Sequence, residues 1–199
     1  MKKWKRNISI ISYETLWRAA ITSLEMAKVD DEETRSDHLS ISSILTGFFA
    51  FEGFLNFVGE EIAPDIWKDE RTFFSKSDFR GVMGKVEYLY SLFSDTELDK
   101  SCDPYQTVKK IKTIRDYLVH NRVKSYEKIS TDKFPAYEPH WEDFDTPKRV
   151  EPALDKIKKL AEMIRLEALK ILEDEYEASH LHHEVFTGPL GYASGKTID

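Results

Sequence analysis

The sequence IRDYLVHNR, residues 114–122, lies in the longest uninterrupted helical pattern of the middle third of the chain. We predict that this helix runs from about Pro104 to Lys128, with Asp103 as its N-cap. Its apolar side chains recur at steps of three and four residues, as in the buried stripe of an amphipathic helix: Val108, Ile111, Ile114 and Leu118. One face of the helix is therefore expected to pack against a helical core.

Four side chains suited to chemistry lie close together near the end of this helix. Asp116 and His120 are four residues apart and share a face, where the carboxylate can hold the imidazole. Arg115 and Arg122 are seven apart and nearly superimpose, whereas Arg115 and His120 are separated by about 140° around the helix. A carboxylate, an imidazole and two guanidinium groups thus form the most compact chemical constellation in the sequence.

The charge of the chain is uneven around this constellation. The protein has 199 residues and a formal net charge of −7, which argues against non-specific coating of nucleic acid. Residues 109–128 nevertheless hold seven basic side chains, Lys112 among them, and two acidic ones. This basic strip favours an anionic ligand, and a solvated helix face is the alternative explanation.

Length and composition favour one soluble domain, which we place at residues 1–199 with a core at about 13–178 and a flexible tail at 179–199. Apolar residues make up 41% of the chain, and no apolar run approaches the roughly 20 residues that cross a bilayer. The basic start is not followed by the apolar core of a signal peptide. Cys102 is the single cysteine, so we expect no internal disulfide, a cytoplasmic location and no membrane contact.

Further helical patterns on both sides of the middle helix predict an all-α fold. They cover about Ser12–Val29, Asp37–Ile62, Ser77–Phe93 and Glu151–Ala178. Residues 129–147 combine prolines with aromatic residues and predict a long loop. The aromatic rings of this loop either stack on bases or fold back over a groove of the bundle. The predicted architecture is an up-and-down four-helix bundle with an additional helix and this loop.

The second predicted helix is apolar nearly all round, so we expect it to be central in the bundle or packed against a second subunit. Small residues at three-residue steps would let another helix approach it closely: Gly47, Ala50 and Gly53. Glu52 and Asn56 lie four residues apart in this apolar setting, where buried polar groups need a partner. These two side chains either bond to a neighbouring helix or orient Arg115 and His120.

Metal and cofactor motifs are weak in this chain. His180, His182 and His183 crowd together near the C-terminus, but a bare histidine cluster beyond the last helix is a poor indication of a metal site. We also find no Gly-rich phosphate loop, Ser-His-Asp ordering or paired-cysteine motif. No metal and no cofactor are therefore expected.

The segment 115–120 in an all-helical chain resembles the HEPN superfamily. That family is marked by an arginine, four to six intervening residues and a histidine, often with a polar residue directly after the arginine. Here four residues intervene, and Asp116 follows the arginine. The resemblance extends to the helical architecture over about Tyr13–Ala178. The apolar helix that carries Glu52 and Asn56 is also similar to that of many bacterial members.

The resemblance implies a homodimer in which two copies of the motif face one cleft, and a metal-independent endoribonuclease that is often a toxin or antiviral effector. It implies that Arg115 stabilises the scissile phosphate, that His120 transfers protons, and that Asp116 orients one of them. An antitoxin or another regulatory protein is a candidate partner. Candidates for contacts to single-stranded or looped RNA are the surrounding polar residues: Asn121, Arg122, Lys112, Glu52 and Asn56.

Three functions stay open at the level of sequence. The first is a HEPN ribonuclease, and the second is a non-catalytic HEPN-like module that binds a nucleotide, RNA or a protein. The third is a structural bundle in which Arg115 pairs with Glu52 and His120 is a surface residue. Arg122 stands where one HEPN subgroup has a tyrosine that its antitoxin modifies, which argues against that mode of control here.

Overall fold

In the part of the chain that the structure describes, five long helices enclose the core, and two short helices connect the second long helix to the third. The computed structural model describes residues 3–94, 96–120, 141–171, 180–188 and 191–198, with the side chains of residues 11–94, 96–120, 141–171 and 181–188. In these ranges the fold is an all-α bundle, as predicted, with one terminal two-stranded ribbon. The helices are α1 Ser12–Val29, α2 Glu33–Ile62, α3 Pro64–Trp67, α4 Glu70–Lys76, α5 Gly81–Phe93, α6 Asp103–Val119 and α7 Pro147–Ile171. The strands are β1 Lys3–Ile10 and β2 Gly191–Ile198, and short 3-10 turns lie at Glu142–Phe144 and His180–His182.

The connection between α1 and α2 is shorter than the sequence pattern predicted. Helix α1 has the predicted bounds, but α2 begins at Glu33 rather than Asp37. Asp30 organises the turn, because its carboxylate accepts a hydrogen bond from the Glu32 amide at 2.9 Å and also pairs with Arg35. Contacts of Asp30 thus hold the short acidic turn that joins the two helices.

Three other helix starts differ from the prediction by one to four residues. Gly81 adopts a φ of 63°, a left-handed conformation, so α5 begins there and not at Ser77. Cys102 occupies the N-cap of α6, and the Asp103 carboxylate instead accepts a hydrogen bond from Thr107 at 2.9 Å. Helix α7 starts four residues earlier than expected. Helix α6 ends at Val119, with His120 as its C-cap, and not at the predicted residue 128. The predicted end of α7, at residue 178, lies outside the described residues.

Helix α2 lies at the centre of the bundle and packs against α1, α5, α6 and α7. The small residues on α2 make these close approaches possible. Gly47 lies directly under Leu154 of α7 and beside Ala20 of α1, and a side chain at Gly53 would begin 3.1 Å from the Tyr13 Cβ. The predicted close packing along this stripe is confirmed.

By length and composition α2 is apolar enough to cross a membrane, the one such helix in the described part of the chain. Half of its most apolar window, 50%, is buried inside the bundle. A single helix of this kind is weak evidence for a membrane span, because core helices of folded domains pass the same test.

The two ends of the described chain pair in an antiparallel ribbon that the sequence analysis did not predict. Lys3 lies opposite Ile198, and Ile10 lies opposite Gly191. A two-stranded ribbon carries little local signal of its own, and its partners here are separated by almost the whole chain. Side-chain periodicity within either segment therefore cannot reveal the pairing.

Residues 180–188, here called the C-terminal strap, pack onto α1 and the core. The Phe186 ring stacks on Trp17 with ring centroids 4.1 Å apart and an interplanar angle of 9°. It also meets Tyr13 and Phe54 edge-on, each at 6.2 Å. Leu181 and other apolar side chains of the strap are buried, so the core extends beyond the predicted boundary at residue 178.

Polar contacts hold the end of the strap against α1. The Gly188 amide donates a hydrogen bond to Glu14 Oε1 at 3.1 Å, and Arg18 donates one to the Gly188 carbonyl at 3.2 Å. Glu14 is only 2% exposed, and its second oxygen, Oε2, has no hydrogen-bond partner among the described residues. Burial raises the pKa of Glu14, against the lowering effects of the Gly188 hydrogen bond and of the Arg18 charge.

We expect Glu14→Gln to stabilise the protein increasingly as pH rises above the ordinary glutamate pKa of 4.5. The raised pKa means that the folded state binds the Glu14 proton more tightly than the unfolded state, so the protonated carboxyl favours folding at low pH. The wild type loses this contribution to the free energy of unfolding as pH rises through the raised pKa. Glutamine keeps the acceptor for Gly188 and carries no charge at any pH. Urea unfolding at a series of pH values, with the exposed Glu97→Gln as control, measures the difference. If the free energy of unfolding of the wild type and of Glu14→Gln changed with pH in the same way, the prediction would be contradicted.

Candidate functional site

A cleft of about 410 Å³ opens between α2, α4, α5 and α6. Five predicted site residues line it together: Glu52, Lys112, Arg115, Asp116 and His120. Four cationic side chains and three carboxylates surround it, with Phe74 and Val82 among the apolar residues of its wall. The charged residues are Arg71, Lys85, Lys112, Arg115, Glu52, Glu70 and Asp116. The cleft thus combines seven charged side chains with an apolar wall.

Arg115 is held in the cleft by two carboxylates. Its Nη2 donates to Glu52 Oε2 at 2.7 Å, and its Nη1 donates to Asp116 Oδ1 at 2.9 Å. The guanidinium carbon also lies 5.3 Å from the ring centroid of Phe48, within range of a cation–π contact. The side chain is 17% exposed, and its buried Nε has no hydrogen-bond partner in the described part of the chain. These contacts fix the position of the guanidinium at the wall of the cleft.

Asp116 supports Arg115 rather than His120. One carboxylate oxygen accepts from Arg115, and the other lies 2.6 Å from Lys112 Nζ, one helical turn earlier. Among the described residues, no hydrogen bond joins the Asp116 carboxylate to the His120 side chain. The interpretation that this carboxylate holds the imidazole is therefore wrong, and Asp116 orients the arginine.

His120 lies at the C-cap of α6, and its side chain is exposed at the cleft. Its backbone amide donates to the Asp116 carbonyl at 3.0 Å, which closes the last turn of the helix. An exposed imidazole beside a fixed guanidinium can exchange protons with solvent and with a ligand in the cleft. The next two site candidates, Asn121 and Arg122, lie outside the described residues.

The two polar residues of α2 have different partners. Glu52 pairs with Arg115, so one residue satisfies both alternatives raised by the sequence: it bonds to a neighbouring helix and it orients the predicted arginine. Asn56 instead accepts a hydrogen bond from Lys85 Nζ at 2.6 Å and one from Trp67 Nε1 at 3.5 Å. Asn56 therefore belongs to a second group of contacts, deeper between α2, α3 and α5.

Sequence reasoning missed Lys85, Glu70 and Arg71, which also line the cleft. A signal for Lys85 was present, because it lies three residues after Val82 and four before Leu89 and so falls in the apolar stripe of α5. A lysine at such a position is unusual unless a partner is nearby. For Glu70 and Arg71 we find no comparable signal.

The described end of the predicted aromatic loop folds back on the bundle. Phe144 is buried at 5% exposure, and Trp141 packs against the core with its ring centroid 6.1 Å from that of Tyr117. This agrees with the groove-covering alternative for these two rings. The rest of the loop, up to residue 140, lies outside the described residues.

No group of three or more His, Cys, Asp or Glu residues in the described ranges is arranged to hold a metal ion. His182 and His183 both have interaction partners, and the side chain of His180 lies outside the described ones. Chemistry at the cleft is therefore considered from its own charged side chains.

Comparisons with protein-family models, with the curated proteins and with the solved structures find no match for this chain. By its fold and its site, the protein is an all-α bundle with a cleft on one side that holds both cationic and acidic side chains. The function is accordingly argued from the cleft.

Proposed function

We propose that the protein is a HEPN-type endoribonuclease that cleaves single-stranded or looped RNA in this cleft without a metal ion. The observation that carries the proposal is the placement of Arg115 and His120, five residues apart on α6, at one cleft. A guanidinium with fixed geometry and an exposed imidazole are the two groups that transfer of a phosphodiester to its own 2′-hydroxyl needs.

In this reaction the 2′-oxygen forms a bond to phosphorus, the bond from phosphorus to the 5′-oxygen breaks, and a 2′,3′-cyclic phosphate results. Arg115 faces the negative charge that develops on the non-bridging oxygens, and Glu52 and Asp116 keep its guanidinium in place. His120 accepts the proton of the 2′-hydroxyl or donates one to the leaving oxygen. Because one imidazole cannot do both in a single step, a second His120 from another copy completes the pair.

A homodimer is therefore part of the proposal. Exposed apolar side chains adjoin both functional residues: Val119, 52% exposed, precedes His120, and Phe49, 38% exposed, lies with its ring centroid 5.8 Å from the Arg115 guanidinium. A two-fold contact across this region would bury those side chains and bring two clefts together. We also propose a cytoplasmic setting, a role as toxin or antiviral effector, and a neutralising or regulatory protein partner.

A second candidate function is a non-catalytic module that binds RNA, a nucleotide or a protein. Two observations favour it. Both terminal nitrogens of Arg115 already contact carboxylates, and no described side chain orients the imidazole of His120. Such a cleft would bind a phosphate group without activating the 2′-hydroxyl.

We expect the purified protein to cleave RNA in the presence of EDTA, to leave 2′,3′-cyclic ends, and to lose about 10²- to 10⁴-fold in rate on His120→Ala. His38→Ala, which removes an exposed histidine of α2 far from this motif in sequence, is the matched control and should cleave like the wild type. Gel electrophoresis and end analysis measure the products. Equal cleavage by all three proteins would indicate a contaminating nuclease, and no cleavage by an intact dimer would favour the binding module.

A further inference from the structure

Lys85 is a buried cation at the edge of the cleft. Of the lysine and arginine residues whose side chains the structure describes, it alone is buried, with 6% of its surface exposed. Removing an ammonium group from water is costly unless partners replace the lost hydration. A bundle core is equally well filled by an apolar residue, so the charge at this position calls for an explanation.

Three neighbouring side chains, from α2 and α4, hold the Lys85 ammonium in place. Its Nζ donates to Asn56 Oδ1 of α2 at 2.6 Å and lies 5.8 Å from the ring centroid of Phe74 on α4. The Trp67 indole donates to the same oxygen of Asn56, so the acceptor rather than the amide nitrogen of Asn56 faces the lysine. The ammonium is thus a positioned charge and not a flexible surface group.

The third neighbour, Glu70, contacts Lys85 in a different way. Its Oε2 lies 2.6 Å from Nζ, the distance of an ion pair, yet this buried oxygen makes no directed hydrogen bond with any described residue. The Glu70 side chain is 34% exposed and comes from the first residue of the short helix α4. Glu70 therefore pairs with Lys85 through a partly exposed side chain, so an anion that enters the cleft can compete with it for the ammonium.

The two held cations are anchored by neighbouring polar residues of the same helix, α2. Arg115 is anchored by Glu52, and Lys85 is anchored by Asn56, four residues further along α2. Four residues of an α-helix correspond to about 6 Å along its axis. This spacing of the two anchoring residues is comparable to the step between neighbouring phosphates of a single strand, and both cations line the same cleft.

We propose that Lys85 is a second phosphate-binding residue of the cleft, which takes the backbone phosphate next to the one at Arg115, and that Glu70 occupies this anion site when no ligand is bound. The assignment of the anion to RNA rests on the proposed function, whereas phosphate binding at Lys85 does not require cleavage. Glu70 is then a competitor for the substrate, and its displacement accompanies binding.

The alternative is that Lys85 only joins α2, α4 and α5. The two explanations differ in what Glu70→Gln does. If Glu70 merely anchors Lys85, removing its charge weakens the fold and does not improve binding. If Glu70 competes with phosphate, the same change leaves an unneutralised ammonium and tightens binding.

The test uses a fluorescent 2′-O-methyl oligonucleotide, which carries the phosphates of RNA but lacks the nucleophilic hydroxyl. Anisotropy titrations of the wild type, Lys85→Met and Glu70→Gln at several salt concentrations give affinities and salt slopes. Lys148→Met, which removes an exposed lysine of α7, is the control. We expect Lys85→Met to bind the oligonucleotide roughly tenfold more weakly. The slope of its log affinity against log salt concentration should be smaller by about one phosphate contact. We expect Glu70→Gln to bind the oligonucleotide several-fold more tightly. Circular dichroism establishes that each variant is folded.

Unchanged binding by Lys85→Met, or weaker or unchanged binding by Glu70→Gln, would overturn the inference. Glu70→Gln keeps the inference testable if Lys85→Met does not fold. Lys85-dependent binding of inorganic phosphate without binding of the oligonucleotide would also overturn it, because the site would then take free phosphate. Lys85-dependent binding by a protein that cleaves no RNA would support the phosphate site while contradicting the ribonuclease. RNA cleavage by a protein whose oligonucleotide binding does not depend on Lys85 would support the ribonuclease and contradict the phosphate site.

Discussion

Replacing Arg115 with lysine is expected to lower RNA cleavage by about 10²- to 10³-fold, the cost of removing one preorganised donor group from a developing oxyanion. The lysine ammonium keeps the charge but loses the planar, two-pronged donor set that matches phosphate oxygens. It also loses the simultaneous contacts to Glu52 and Asp116 that hold the guanidinium at 2.7 and 2.9 Å. Initial rates on a uniform RNA substrate measure the loss.

Arg149→Lys is the matched control for this substitution. Arg149 lies on α7 with its side chain 55% exposed and is not among the residues that line the cleft, so its replacement should leave the rate unchanged. Thermal unfolding of both variants separates a loss of activity from a loss of fold. A wild-type rate for Arg115→Lys would show that the guanidinium geometry is not used, and the ribonuclease proposal would lose its phosphate-binding group.

Replacing Phe186 with alanine is expected to destabilise the protein by about 3–5 kcal/mol, the usual cost of deleting a buried phenyl ring. The ring is 6% exposed, stacks on Trp17 at 4.1 Å and packs edge-on against Tyr13 and Phe54. Phe186 has a φ of 65°, and alanine retains the same backbone strain, so the difference reports the ring itself. Urea unfolding measures the free energy, and Trp17 fluorescence should shift to longer wavelength as water reaches the indole.

Leu166→Ala provides the comparison for this second substitution. Leu166 is an apolar residue of α7 that is 49% exposed, so its truncation should change the free energy of unfolding by no more than about 0.5 kcal/mol. Similar losses for Phe186→Ala and Leu166→Ala would mean that the strap does not belong to the core. A large loss for Phe186→Ala alone would place residues 180–188 in the cooperative folding unit.

The helices were accessible from the sequence because they follow short-range patterns, and the pair of Arg115 with Glu52 because an isolated carboxylate in an apolar helix needs a partner. Periodicity at three and four residues located α1 and α2, and a carboxylate in the apolar run of α2 needed a partner on another helix. The Arg115–Glu52 ion pair supplies that partner. The same pair was also expected if the protein is only a structural bundle. The pair alone therefore does not distinguish a catalytic role of Arg115 from a structural one.

Spacing within one helix was less informative about Asp116. A carboxylate four residues before His120 shares its face, but it also lies next to Arg115 and four residues after Lys112, and both cations reach it. The stronger, charge-assisted contacts determine its orientation. The strap was missed for another reason, since its partners on α1 come from a distant part of the chain and leave no periodic pattern. Glu70 was missed because it lies in a short helix without an apolar stripe of its own.

The pairing of β1 with β2 sets an order of folding. Lys3 lies opposite Ile198, so the ribbon closes almost the whole chain into one loop, and the entropy of that closure opposes its early formation. Helices α1 and α2 are joined by only the short turn 30–32 and can associate as a local hairpin. The chain is therefore expected to fold outward from this hairpin. Its two ends, although side by side in the finished protein, are the last parts to come together.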